Sequence, residues 1–239
     1  LAGCCQGPKD IPDTVAQAQA AAARVLGLIA RGETQIDPVR AAVDERYCSG
    51  CKTCQVACKD KNDLPVGQLW RRVYEVTGGG WKQEGVSWVQ DVFAYNLSLS
   101  CNHCADPICA KNCPTRAIRQ REDGIVLIDP SSCIGCKYCA WACPYGAPQF
   151  NAKSGVMGKC DLCVDYVDQG KRPSCVDACP MRALDFGDYD ELVSTYGDPA
   201  HVHPLPQPSI TQPSIVVRAH RNARGANPAV SNVEEIGDA

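Results

Sequence analysis

Residues 133–144 read CIGCKYCAWACP, with four cysteines spaced C-x2-C-x2-C-x3-C and a proline after the last. Residues 48–58 repeat the same spacing, and two further groups widen the middle gap to four and to eleven residues. The four groups, in chain order, are Cys48, Cys51, Cys54 and Cys58; Cys101, Cys104, Cys109 and Cys113; Cys133, Cys136, Cys139 and Cys143; and Cys160, Cys163, Cys175 and Cys179. Sixteen of the eighteen cysteines therefore belong to one internal repeat.

The spacing of each group is typical of loops that bind 4Fe-4S clusters. Three close thiolates bind three corners of one cube, whereas the fourth cysteine begins a helix that points away and binds the other cluster of a pair. The proline after the fourth cysteine of three groups suits the first turn of such a helix. Sixteen cysteines at four per cluster predict four 4Fe-4S clusters. No 3Fe-4S centre is expected, because no ligand position holds tryptophan or aspartate.

Zinc and disulfides are the alternative interpretations of so many cysteines. Zinc sites use two-plus-two spacing and commonly include histidine, whereas these groups are three plus one and the chain has four histidines. His103 lies between Cys101 and Cys104, but the cysteine set is complete without it, so we expect a supporting or purely local role. Tight groups separated by ordinary sequence are also unlike a disulfide scaffold. We therefore expect no zinc on this chain.

The repeat predicts an α+β fold of two tandem ferredoxin-like units, with short strands and helices around the clusters. Strand-like runs occur at residues 89–97 and at residues 124–128, after the turn signal EDG. We expect an N-terminal helical extension over residues 1–46, a four-cluster domain over 47–196 and a proline-rich C-terminal arm over 197–239. The extension contains an amphipathic helix over residues 15–29. The arm is expected to be extended, either along a partner or as a solvated tail.

Charge and hydropathy argue against some classes of partner. A formal net charge of −3 lacks the basic footprint of a protein that binds nucleic acid. No run approaches the roughly 18 to 20 unbroken apolar residues of a membrane span, so contact with a membrane would need another subunit or a lipid. No nucleophile and base pair or substrate-binding motif is evident, and we expect no catalytic site.

Basic residues inside the cysteine loops carry a further expectation. Cations near a cluster stabilise its reduced, more negative state and raise its potential. Any single residue of this kind can equally be a solvated surface residue, so only the collective trend is expected to matter. The residues are Lys52, Lys59, Lys111, Arg116, Lys137 and Lys159.

The segments between the cysteines are more specific than the spacing. The motifs are CSGCKTC at 48–54, VFAY at 92–95, SCNHC at 100–104, REDG at 121–124, CIGCKYC at 133–139, ACPYGAPQF at 142–150 and RALDFG at 182–187. With these motifs, residues 46–217 resemble the iron-sulfur subunit of dimethyl sulfoxide reductase and its relatives among the molybdopterin oxidoreductases.

The resemblance implies a linear electron-transfer chain in which group one exchanges its fourth cysteine with group four, and group two with group three. The implied ligand sets are a first set of Cys48, Cys51, Cys54 and Cys179; a second set of Cys58, Cys160, Cys163 and Cys175; a third set of Cys101, Cys104, Cys109 and Cys143; and a fourth set of Cys113, Cys133, Cys136 and Cys139.

The resemblance also implies two partners. One is a quinol-oxidising integral membrane anchor, and the other is a catalytic subunit with a bis-pterin molybdenum or tungsten cofactor. Membrane association through the anchor is then expected, on a face that the sequence does not assign. The acceptor, whether sulfoxide, amine oxide, polysulfide or tetrathionate, or formate as a donor, is determined by the catalytic subunit.

The N-terminal segment departs from that family. Residues 3–12 read GCCQGPKDIP and resemble a short segment of heterodisulfide reductase A-type flavoproteins, but no dinucleotide-binding glycine fingerprint accompanies them, so no flavin is expected. Cys4 and Cys5 are then remnants, free thiols or contributors to a partner's site, or Cys4 is lipidated if LAGC ends a lipoprotein signal. The alternative functions are a redox module of a heterodisulfide reductase-type flavin complex and a zinc-bearing structural protein.

Overall fold

The computed structural model describes residues 39–197, 202–223 and 227–236. The predicted helix over residues 15–29 and the cysteines Cys4 and Cys5 lie outside these ranges. All of the described residues belong to one unit by their mutual contacts.

Short strands and shorter helices alternate along the described residues. The strands are β1 (Val39–Asp44), β2 (Arg72–Gly78), β3 (Trp81–Glu84), β4 (Ser87–Gln90), β5 (Phe93–Leu99), β6 (Ile118–Gln120), β7 (Val126–Ile128), β8 (Gln149–Asn151), β9 (Val156–Gly158), β10 (Leu184–Asp188), β11 (Ile215–Arg218) and β12 (Ala229–Val230). The helices are α1 (Thr53–Lys61), α2 (Ile108–Lys111), α3 (Tyr138–Ala142), α4 (Val164–Val167), α5 (Ser174–Asp177), α6 (Tyr189–Tyr196) and α7 (Val233–Ile236), with a 3-10 turn at Pro208–Ile210. This mixed α+β arrangement of small sheets fits a ferredoxin-like fold.

One three-stranded sheet has β1 in its middle, antiparallel to β10 and parallel to β11. Val43 of β1 pairs with Leu184 and with Val217, and all three side chains are buried. Strand β1 precedes the predicted boundary at 46/47 and β11 follows the one at 196/197. Main-chain hydrogen bonds thus connect all three predicted parts, and the division itself stays a prediction.

The second three-stranded sheet holds the cysteine-bearing core. Strand β2 lies between β12 and β5 and pairs with β5 from Arg72 opposite Leu99 to Gly78 opposite Phe93. Val73 and Leu97 from this sheet are fully buried in one hydrophobic core with Val43 of the first sheet. The same core contains cysteines of groups one and four, namely Cys54, Cys175 and Cys179. The two sheets therefore fix the loops that carry these cysteines.

Two predicted strands have different outcomes. The strand predicted at residues 124–128 is confirmed for β7, and Gly124 forms the preceding turn with a φ of 80°. The strand predicted at residues 89–97 is instead divided between β4 and β5. The break lies at Asp91, whose carboxylate accepts a hydrogen bond of 2.7 Å from the Gly80 N–H. Between these two residues, β3 and β4 form an exposed hairpin.

The described residues of the predicted C-terminal arm, 202–223 and 227–236, contact the body of the protein. Its strand β11 is buried, and the Ser214 N–H donates to the Asn102 carbonyl at 3.0 Å. Farther on, the Asn232 amide donates to the Val73 carbonyl and accepts from the Glu75 N–H, both at 2.9 Å. Prolines shape the segment, but buried apolar residues hold it in place.

Within the described ranges, no helix has the length and apolar character needed to cross a bilayer.

Candidate metal centres

The four cysteines of the first set line one cavity, together with Lys52 and Ser98. Cys54 lies on α1 and Cys179 lies just after α5, and these two helices pack against each other. The structure thus brings three cysteines of group one together with the last cysteine of group four.

The second set lines another cavity with the reverse exchange. Here Cys58, near the end of α1, faces three cysteines of group four, and the side chains of Asn62 and Arg71 complete the wall. One helix therefore supplies a thiol to each of two neighbouring cavities.

The third set lines a cavity formed by three cysteines of group two and Cys143 of group three. Lys159 and Thr211 also line it, so the C-terminal segment contributes to this site. The Thr211 hydroxyl is 2.9 Å from the Tyr145 hydroxyl, and this contact ties the segment to the loop that follows Cys143.

The fourth set is brought together less completely. Cys139 is buried in a hydrophobic cluster against which Cys113 and Cys133 pack, and Cys133 and Cys136 both raise the pKa of Cys139. The contacts described for this set do not include a cavity shared by its four thiols as in the other three sets. Cys113 instead lines an open depression with Thr115 and Arg119.

The backbone of the loops turns N–H and O–H groups toward the sulfurs. Lys52 and Lys137, each following the second cysteine of its group, adopt left-handed φ values of 58° and 66° and begin α1 and α3. Elsewhere the Leu162 N–H donates to the Cys160 sulfur and the Met157 N–H donates to the Cys133 sulfur, both at 3.4 Å. Such donors stabilise thiolate sulfur and raise the potential of a bound cluster.

Several of the thiols are buried enough to be protonated in the metal-free protein, whereas hydrogen bonds to Thr53 and to Thr115 lower the pKa of the more exposed Cys51 and Cys113. Burial, with smaller contributions from neighbouring thiols, raises the pKa of at least one cysteine in each set to about 11 or 12: Cys48 (about 11), Cys58 (about 12), Cys163 (about 11), Cys104 (about 12), Cys109 (about 12) and Cys139 (about 11). A metal must displace these protons, so binding is expected to release protons and to stabilise the fold.

Four of the six loop cations line cavities, namely Lys52, Lys111, Arg116 and Lys159, but several of them are paired with other groups. Lys52 pairs with Glu75 at 3.0 Å and with Glu235, Lys111 pairs with Asp106, and the ammonium of Lys137 lies over the Phe150 ring. The expected collective trend is thus limited to fewer residues. Lys159 is the one buried residue of the six, and it lines the third cavity and donates to the carbonyls of Val126 and Cys160.

The buried His103 has a local role. Its Nδ1 accepts a hydrogen bond of 3.0 Å from the Val126 N–H, which fixes β7 to the loop of group two. Burial lowers the pKa of His103 well below its usual range, so the ring is neutral and can accept this bond. This arrangement agrees with the expectation that the cysteine set is complete without His103.

Sequence reasoning missed Arg71, which lines the second cavity and is fully buried. The residue lies 13 positions beyond Cys58, outside every cysteine loop. The signal that could have found it is the pair Arg71 and Arg72 at the start of the strand β2, about half of which is buried, since a buried arginine needs polar or anionic neighbours.

Comparison with known proteins agrees with the geometry. Residues 92–189 match the model of a 4Fe-4S dicluster domain. A component of the anaerobic dimethyl sulfoxide reductase of Escherichia coli is 54% identical over 182 residues, covering 76% of this chain and 89% of that protein. A putative dimethyl sulfoxide reductase iron-sulfur subunit of Halobacterium salinarum is 35% identical, covering 72% and 75%. The thiosulfate reductase electron transfer subunit PhsB of Salmonella typhi is 40% identical, covering 62% and 74%.

The match to the Escherichia coli protein covers most of both chains and spans far more than the cysteine motifs. This protein therefore belongs to the family of iron-sulfur electron-transfer subunits found in dimethyl sulfoxide reductase and related reductases.

Proposed function

We propose that this protein relays electrons through four 4Fe-4S clusters between a quinol-linked integral membrane anchor and a molybdopterin catalytic subunit. The observation that carries the proposal is the exchange of fourth cysteines between groups in three cavities. Such an exchange is the property that separates paired 4Fe-4S loops from independent zinc sites. As an electron-transfer subunit, the protein has no catalytic site of its own.

The proposed ligands are the four sets given above, one cluster to a set. The first and second sets form one ferredoxin-like half, and the third and fourth sets form the other, in tandem. The donor chemistry fits, since four thiols line each of three cavities with N–H and O–H donors aimed at their sulfurs. When bound, each cluster would supply one-electron redox chemistry.

The described contacts support a linear order of the sets. Cys54 of the first set and Cys175 of the second lie in one hydrophobic core, and Lys159, which donates to the carbonyl of Cys160 in the second set, lines the cavity of the third. Cys109 and Cys139 share one hydrophobic cluster, which links the third and fourth sets. Each set therefore has the next as its neighbour, as a relay requires.

The partners and the location follow from the family rather than from this chain alone. The relatives are named as parts of dimethyl sulfoxide and thiosulfate reductases, so a catalytic partner with a molybdenum or tungsten pterin is proposed. Membrane association is proposed to occur through the anchor subunit. No flavin, zinc or nucleic acid is part of the proposal.

The test is metal and sulfide analysis of the complex purified anaerobically with this chain as bait. We expect about sixteen irons per copy of the chain, four for each of four clusters, together with molybdenum or tungsten. Sixteen irons with flavin and neither metal would instead favour the heterodisulfide reductase-type complex. Zinc without iron would overturn the proposal.

A further inference from the structure

Arg71 occupies a position between two of the proposed cluster sites. The residue immediately precedes β2 and is 2% exposed. Its side chain lines the cavity of the second set with Cys58 and Cys175, and it donates to the Ser98 hydroxyl, which lies 3.3 Å from the sulfur of Cys54 in the first set. The guanidinium is thus placed where it acts on thiols of both sets.

The acceptors around Arg71 are all neutral. Its Nη1 donates to the Ser98 carbonyl at 3.2 Å and to the Ser98 hydroxyl at 3.0 Å, and its Nη2 donates to the Ser100 hydroxyl at 3.0 Å. Its Nε has no hydrogen-bond partner in the described part of the chain. None of the ion pairs between described residues includes Arg71.

A buried cation without a carboxylate partner is strongly destabilising unless another anion compensates it. Hydroxyl and carbonyl groups satisfy its N–H donors but not its charge. The groups near Arg71 that can become anionic are the cysteines of the first and second sets, once a metal has displaced their protons. A thiolate-bound cluster is itself anionic and becomes more so on reduction, so the arginine favours the reduced form.

We propose that Arg71, through its buried positive charge, raises the reduction potentials of the two clusters held by the first and second sets. This inference rests on the proposed assignment of the clusters, and it names a residue that sets their potentials. Each reduction adds one electron to one cluster, supplied in the assay by dithionite through mediator dyes. Arg71 stays protonated throughout, so no proton is gained or lost at this residue.

The test compares R71Q and R71K in the intact purified complex, with potentials followed by electron paramagnetic resonance during redox titration. R121Q is the matched control, because Arg121 is partly exposed and forms an ion pair with Asp168 at 2.7 Å. In R71Q we expect the equilibrium constant for reduction to fall at least tenfold at two clusters, which is 59 mV per tenfold for one electron. R71K keeps the charge and is expected to retain most of the original potentials.

Unchanged potentials in R71Q, or an equal shift at all four clusters, would overturn the proposal. If the R71Q complex fails to retain iron, the R71K complex is used to test whether the site requires the positive charge. An R71K complex with the full iron content and near-original potentials shows that the charge is what the site requires, whereas loss of iron from both variants shows a packing role only. Failure of the proposed function would be distinct, because it would appear as a wrong iron count or as flavin in the unmodified complex.

Discussion

The Ser98 hydroxyl oxygen lies 3.3 Å from the Cys54 sulfur. The same oxygen accepts a hydrogen bond from Arg71, so its own proton is available to the sulfur. An O–H donor to a thiolate stabilises the reduced state of a bound cluster. Cys54 is therefore linked to a buried cation through one hydroxyl group.

Replacing this serine should affect one cluster. In Ser98→Ala we expect a lower potential for the cluster of the first set, with a shift smaller than that in R71Q because the buried charge remains. The measurement is the same redox titration, with Ser87→Ala in the exposed β3–β4 hairpin as the control. A shift at the third or fourth set would contradict this local mechanism.

The sequence predicts the residues of the site more completely than it predicts the fold. Cysteine spacing identified the sixteen thiols, and the family resemblance supplied the exchange of Cys179 and Cys143 that the cavities display. Spacing could not reveal the pairing of β1 with β11, because that contact joins distant segments through buried apolar residues with no local signature. Arg71 was missed for a related reason, since its role depends on burial between loops and not on any motif.

Lys159 provides a test at the third cavity. Its buried ammonium lines this cavity and opposes the effect of burial, which raises the pKa of Cys109 to about 12. In Lys159→Met, loss of this charge should lower the potential of the third-set cluster, and the carbonyls of Val126 and Cys160 would lose their donor. The exposed Lys153→Met is the control. Equal potentials in the two variants would show that Lys159 acts only through hydrogen bonds.

Replacing Cys136 tests the assignment of the fourth set, whose thiols are brought together less completely than those of the other three sets. In Cys136→Ser we expect loss of one cluster or its conversion to a 3Fe-4S type, with a new paramagnetic signal in the oxidised state. Iron content should fall from about sixteen to about fifteen for conversion or about twelve for loss. Cys5→Ser, outside the proposed sets, should leave both unchanged. An unaltered spectrum and iron count in Cys136→Ser would remove this residue from the ligands.

Glu45 gives the fold a dependence on pH. Burial raises the pKa of its carboxyl from 4.5 to about 7, although one carboxylate oxygen accepts a hydrogen bond of 2.7 Å from the His220 N–H. The folded state therefore holds this proton more tightly than the unfolded state, so stability falls as pH rises from about 4.5 to about 7.

The Glu45→Gln variant should lack this dependence. At pH 8 we expect it to be more stable than the unmodified protein by about 3 kcal/mol, and the difference should shrink toward pH 5. The measurement is the thermal midpoint of each protein across this range, because the difference between them cancels the titration of other groups. A difference independent of pH would contradict the raised pKa.

Val216 tests whether the C-terminal segment is part of the folded body. Its side chain on β11 is fully buried beside Ala42 and Leu192. Val216→Ala removes two methyl groups and leaves a cavity, at a cost of about 2 kcal/mol. This should lower the thermal midpoint of cluster bleaching by roughly 4 to 8 °C for a protein of this size. Val66→Ala is the matched control because Val66 is 98% exposed. Equal midpoints in the two variants would indicate that the C-terminal segment is a solvated tail.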